Sequence, residues 1–179
     1  LFGEGLAAFT AAAKKEKGKV EERGKRPMNR SKPRLEDLSI IVSGQGGDGS
    51  LTVINILADV LRSVGMRAYT ERDVLSRIKG GIVAATLRAC HVERLCIGSQ
   101  IDLIVVFDLF AIRKQAHRLN DRSIVIYDSS GGDLPDDSGV PEGARAIGIP
   151  FSRHAVRVFR SDIYKNSISS AVVGRLIGL

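Results

Sequence analysis

The segment Ile40–Thr52, IIVSGQGGDGSLT, restricts the fold more than any other part of this chain. Leu38–Ser43 is a short apolar run of the kind a buried parallel strand needs. It stops at Gly44, and Gly46, Gly47 and Gly49 follow at once. Leu51–Val64 then predicts a helix, with Gly65 as its stop and Ser50 as its N-cap. Its apolar residues cover more than one stripe, so the helix is expected to be well buried. Strand, glycine loop and helix start together place backbone N–H groups and the positive end of a helix at the edge of a sheet. Phosphates and carboxylates bind at such places. The glycines at 44, 46 and 49 also spell G-x-G-x-x-G, the dinucleotide spacing.

The same alternation continues down the chain. Arg67–Thr70 reads as a second strand, and Val74–Lys79 as a loop ending in Gly80-Gly81. Ile82–Ala89 and Glu93–Ile97 are expected to pair as antiparallel strands. Asp102–Phe107 and Ser123–Tyr127 are apolar strands separated by a helix over Leu109–Leu119. Ser129–Glu142, rich in Gly, Pro, Asp and Ser, is a loop. A short strand over Ala144–Ile149 and helices over Phe151–Phe159 and Asn166–Leu179 complete the pattern. Strands alternating with helices of this length imply an α/β fold: a doubly wound, mostly parallel, Rossmann-like sheet with helices on both faces.

Residues 1–35 do not fit that pattern. They hold 10 Lys and Arg against 4 Asp and Glu, a balance of +6, whereas residues 36–179 are close to neutral at +1. The first 13 residues could form a short helix, but the charged stretch after them buries too little apolar surface to order itself. The extension is therefore expected to be a disordered or partly helical basic linker, with the domain spanning 36–179. The domain shows no basic stripe with interleaved aromatics, so no nucleic-acid partner is expected. No run of about 18 apolar residues is present, so no membrane span is expected either. The chain does not begin with Met and reads as a segment of a longer or processed protein. Cys90 and Cys96 are the only cysteines, too few for a four-ligand zinc or iron–sulfur site. They read as two thiols in a reducing compartment, which points to the cytoplasm.

The residues alone leave the use of the glycine loop open between phosphate or nucleotide binding and a tight turn with no ligand. A dinucleotide reading needs an acidic residue about 20 positions downstream, and Glu71 fits that spacing loosely. Asp48 counts against it, because a carboxylate inside the loop repels a pyrophosphate unless it turns outward or caps the helix itself. Arg77 and Lys79, beside Gly80 and Gly81 in Ser76–Gly81 (SRIKGG), offer an anion contact or a solvated surface loop. His91, His117 and His154 have no recognisable nucleophile partner, and the loop lacks the Walker lysine. No self-contained catalytic set is present, so the domain is expected to serve as part of an assembly.

The ordered set of motifs resembles a known family. G-x-G-G-x-G-S-x-T, the apolar helix, Gly65, R-I-K-G-G, the D-L-I-V-V-F-D and S-I-V-I-Y-D strands and the I-P-F…G-R-L-I-G-L ending are similar to the gamma subunit or domain of 2-oxoacid:ferredoxin (acceptor) oxidoreductases. The resemblance covers residues 38–179 and is most like the form fused ahead of an alpha domain. It implies a component of a complex that oxidatively decarboxylates a 2-oxoacid, such as pyruvate or 2-oxoglutarate, with coenzyme A. The products are an acyl-CoA, carbon dioxide and reduced ferredoxin. Coenzyme A would be shared at a subunit interface. Thiamine diphosphate and iron–sulfur clusters would belong to the partner alpha and beta subunits, or to a delta or ferredoxin-like one. Carried over position by position, Gly44, Gln45, Gly46, Gly47, Gly49, Ser50, Arg77, Lys79, Gly80 and Gly81 would face coenzyme A or a neighbouring subunit. No catalytic or metal-ligating residue is expected on this chain. The competing readings are a free-standing NAD-binding oxidoreductase and a purely structural subunit.

Overall fold

A computed structural model of the chain describes residues 37–74 and 81–179. The basic extension, and Arg77, Lys79 and Gly80, lie outside the described residues. The elements are β1 (Asp37–Gln45), α1 (Ser50–Ser63), β2 (Arg67–Val74), β3 (Ile82–Cys90), β4 (Leu103–Val106), α2 (Leu109–Gln115), β5 (Ile124–Asp128), β6 (Arg145–Ile149), α3 (Phe151–Phe159) and α4 (Lys165–Ile177). Short 3-10 turns follow α2, β5 and α3.

The six strands form one sheet in the order β2-β3-β1-β4-β5-β6. β1, β4, β5 and β6 are parallel neighbours. β3 runs antiparallel to both β1 and β2. β2 is therefore parallel to β1 but does not touch it, because β3 lies between them. Glu93–Ile97, expected to be the partner of the Ile82–Ala89 strand, forms no strand. Both edges of β3 are already satisfied by β1 and β2, which leaves that segment no backbone groups to pair with.

Side-chain alternation divides the core into two layers. Leu38, Ile40, Val42, Leu87, Leu103 and Val105 face α1, α3 and α4. Ile41, Ile104, Val106 and Val125 face α2 on the other side. Helices thus cover both faces. α1 buries Val53, Ile54, Leu57, Ala58 and Leu61 in a stripe at helical spacing. It lies close to β3 because Ala85 and Ala89 keep that part of the sheet low. The edge strands β2 and β6 carry mostly exposed residues, as unpaired edges do when they avoid further pairing.

Candidate functional site

The site lies at the carboxyl ends of β1 and β4. The chain leaves β1 into α1 on one face and leaves β4 into α2 on the other, which opens a crevice between two parallel neighbours. Open α/β sheets bind ligands at such switch points. At the tip of β1 the Gln45 N–H donates to Asp48 Oδ2 at 2.8 Å, and the Asp48 N–H returns to the Gln45 carbonyl at 3.0 Å. Gly44 is tightly enclosed here: a Cβ would come within 3.0 Å of Asp48 Oδ2 and 3.1 Å of Phe107 Cβ, so a side chain would push those neighbours aside. The Gly46 N–H donates to the Gly81 carbonyl at 2.9 Å, which ties the glycine loop to the end of the SRIKGG segment.

The helix start differs from the sequence expectation. Gly49, not Ser50, is the N-cap of α1, in the left-handed region at φ 81, with no side-chain hydrogen bond capping the helix. Ser50 is the first helical residue, and its Oγ is buried without a partner. A capping hydroxyl must sit one position before the helix with extended dihedrals, and Gly49 occupies that position in a conformation that serine rarely adopts. The first N–H groups of α1 therefore receive no side-chain acceptor from the loop. They open onto a small pocket of about 290 Å³ that includes Gly47, Gly49, Ser50 and Val83.

Asp48 turns inward. Its Oδ1 accepts from Lys165 Nζ at 3.0 Å, and Lys165 also reaches Asp162 Oδ2 at 2.8 Å. Lys165 is buried at the start of α4. Burial alone would lower its pKa, but the hydrogen bonds to Asp162 and Asp48 outweigh it and hold the ammonium charged. For Asp162, burial pushes the carboxyl upward, while the hydrogen bond and charge of Lys165 carry it below its ordinary value. A cation at a helix N-terminus is unfavourable against the dipole, and the two carboxylates compensate for it here.

Two more carboxylates stand at strand ends beside the loop. Asp108 caps α2 through the Phe110 N–H at 2.9 Å and accepts from Gln45 Nε2 at 2.7 Å. Asp128, at the end of β5, accepts from the Ser130 N–H at 2.9 Å, from Ser152 Oγ at 2.6 Å and from the Ser152 N–H at 3.1 Å, the last of which caps α3 from a neighbouring element. Together with Asp48 and Lys165 these side chains line a cleft of about 500 Å³ whose other walls include Phe107 and Phe110. Three carboxylates against one ammonium make that side of the loop net acidic and unsuited to a phosphate. The 290 Å³ side, with uncapped helical N–H groups, suits one. Gln45 borders both.

The structure thus gathers Gly44, Gln45, Gly46, Gly47, Gly49, Ser50 and Gly81 in one place. Sequence reading missed Lys165, Asp162 and Asn166, which arrive from more than a hundred residues away with no local signature. Asp108 and Asp128 did have one: an Asp directly after an apolar strand and before a helical turn is an N-cap signal. Glu71 does not serve a dinucleotide. It pairs with Thr86, which pairs with Ile41, so it lies level with the middle of β1 and two strands away. A residue on the ribose must stand at the carboxyl edge beside β1. Among the described residues, no group of three or more His, Cys, Asp or Glu side chains could hold a metal ion, and no helix is long and apolar enough to cross a membrane.

Known proteins match most of the described chain. The family described as pyruvate ferredoxin/flavodoxin oxidoreductase matches residues 39–179. The 2-oxoglutarate synthase subunit KorC of Archaeoglobus fulgidus is 24% identical over 144 residues, 80% of this chain and 72% of that protein. A 2-oxoglutarate:ferredoxin oxidoreductase from Magnetococcus marinus, solved with 2-oxoglutarate, coenzyme A and succinyl-CoA bound, superposes with a TM-score of 0.67 at 30% identity. That match covers 75% of this chain but only 23% of the longer M. marinus chain. The pyruvate oxidoreductase subunit PORC of Thermotoga maritima shares the fold, with a TM-score of 0.64 at 16% identity over 80% of this chain and 78% of that one.

Proposed function

The chain belongs to the pyruvate ferredoxin/flavodoxin oxidoreductase family, and from that membership we propose that it works as the gamma component of a 2-oxoacid:acceptor oxidoreductase complex. The complex takes a 2-oxoacid and coenzyme A to an acyl-CoA and carbon dioxide, and the electrons released pass to ferredoxin. This chain supplies no catalytic group. It contributes a wall of the coenzyme A site, made by Gly44–Ser50 with Arg77, Lys79, Gly80 and Gly81. Thiamine diphosphate and iron–sulfur chemistry belong to alpha and beta partner subunits, with a delta or ferredoxin-like subunit as the electron outlet. The complex operates in the cytoplasm, where the free thiols of Cys90 and Cys96 stay reduced.

The observation that carries this reading is the join between the two glycine segments, Gly46 N–H to the Gly81 carbonyl, beside the uncapped start of α1. It gathers an anion-accepting backbone next to the segment that bears Arg77 and Lys79. Coenzyme A, when bound, supplies the thiol that takes up the acyl group. What this chain's residues do is bind its anionic part and exclude water from the interface.

The test is reconstitution with the partner subunits and coenzyme A, following 2-oxoacid-dependent reduction of ferredoxin. Activity should require this chain, and charge reversal at Arg77 and Lys79 together should raise the KM for coenzyme A about tenfold or more with a smaller change in kcat. Full activity without the chain, or micromolar NAD binding with no response to coenzyme A in calorimetry, overturns the proposal.

A further inference from the structure

The distal half of α3 and the turn after it carry an apolar patch that the fold does not use. α3 buries only Phe151 and Ala155. Val156 and Phe159, one helical turn apart, are 49% and 51% exposed, and Ile163 and Tyr164 in the following 3-10 turn are 69% and 44% exposed. Phe159 and Tyr164 stack on each other, their ring centroids 4.7 Å apart, so the two aromatics form one preassembled surface. Arg153, Arg157 and Arg160 form an exposed stripe at helical spacing that borders the patch at Val156, three residues from Arg153 and four from Arg160. Among the described residues no carboxylate lies within ion-pair distance of any of the three.

A second feature is independent of exposure. Arg160 closes α3 at φ 59, the only described non-glycine residue with positive φ. Glycine takes that C-terminal position without strain, whereas a side chain there is strained. Arg160 therefore holds this position at some cost in fold stability, which glycine would avoid, and strained residues of this kind cluster at functional surfaces. A second exposed apolar ridge, Ile56 and Val60 on α1, has no aromatic residue, and its charges are internally paired through Asp59 and Arg62. Aromatics and arginines are the residue types over-represented at interfaces, and they dominate binding energy there.

We propose that Val156, Phe159, Ile163 and Tyr164, framed by Arg153, Arg157 and Arg160, form a docking face for an apolar, acid-rimmed surface on a partner subunit of the complex. The one carboxylate in the turn, Asp162, is held by Lys165, which leaves the three arginines as the unpaired charge beside the patch among the described residues; a second copy of this chain would bring arginine against arginine, and an acidic partner is the complementary one. The inference rests on the reading that the chain acts within a complex.

The experiment is co-expression with the partner subunits, followed by size-exclusion chromatography with light scattering and by photo-crosslinking from a reactive residue placed at Ile163. Phe159→Asp should weaken association about a hundredfold, and Arg157→Glu, at an exposed residue with no ion-pair partner among the described residues, about tenfold. Arg160→Gly should weaken association several-fold while leaving Tm unchanged or higher, a combination that a merely structural arginine would not give. Crosslinks should fall on partner peptides containing Asp or Glu. Association unchanged in Phe159→Asp and Arg157→Glu overturns the docking face but leaves the complex reading standing, as do crosslinks to a second copy of this chain. A wild-type chain that joins no partner overturns both.

Discussion

Replacing Lys165 by Met tests whether the glycine loop is held in shape from the far end of the chain. Methionine keeps the apolar stem against Phe107, whose ring lies 5.6 Å from the ammonium, and deletes only the charge. What remains is Asp48, 23% exposed, and Asp162, 48% exposed, facing each other without a cation. Removing one partner of a fully buried pair costs about 3–5 kcal/mol. Asp162 is half solvated and Asp48 keeps the Gln45 N–H, so the cost here should fall to about 2–3 kcal/mol. For a domain of this size each kcal/mol moves Tm by roughly 3–4 °C, so thermal unfolding followed by circular dichroism should show a drop of about 6–12 °C. Asp48→Asn in the Lys165→Met background should cost less than the sum of the two single changes by about 1–2 kcal/mol, because one of the two stranded carboxylates is then gone. A Tm within 2 °C of wild type by this measure, or strictly additive single changes, would refute the claim that the ion pair secures the loop.

Gly49→Ala forces a left-handed residue and sets its Cβ against the Asn166 side-chain amide, so it should lose about 2 kcal/mol or more in urea titration. Adding Asn166→Ala should recover the steric part but not the backbone part. Leu57→Ala removes a side chain only 2% exposed beneath β1 and β3, and chemical denaturation should report a loss of about 3 kcal/mol. Asp162 and Asp37 have folded pKa values below the ordinary 3.8, the latter chiefly through its hydrogen bond from Arg88. Their stabilising contribution is therefore present above about pH 4 and is lost as pH falls through the folded values. Lys165 is raised above 10.5, so its contribution is present below that pH and lost as pH climbs past the folded value. Tm measured against pH should be flat between these limits, and Asp37→Asn with Asp162→Asn should flatten the acid limb.

The sequence by itself determined the elements whose signals are local. An apolar run must be buried, glycines must turn, and a helix stripe at 3.6-residue spacing must face a sheet. Each of these depends on residues within a dozen positions, and so β1, α1, β4, β5 and α3 were legible to within a residue or two. The family resemblance and the glycine loop as the focus of the site came from the same local text. Tertiary structure alone decided what depends on pairing across the chain. β3 lies between β1 and β2 because its two edges find hydrogen-bond partners there, a matter of register that period-two alternation does not encode. Ser50 lost the cap to Gly49 because the loop closes through a left-handed residue. Asp48, which looked like an obstacle to an anion, proved to be half of a clasp with Lys165, 117 residues away. No spacing rule could join those two, since only the packing of α4 against α1 brings them within reach and only their shared burial makes the charges need each other.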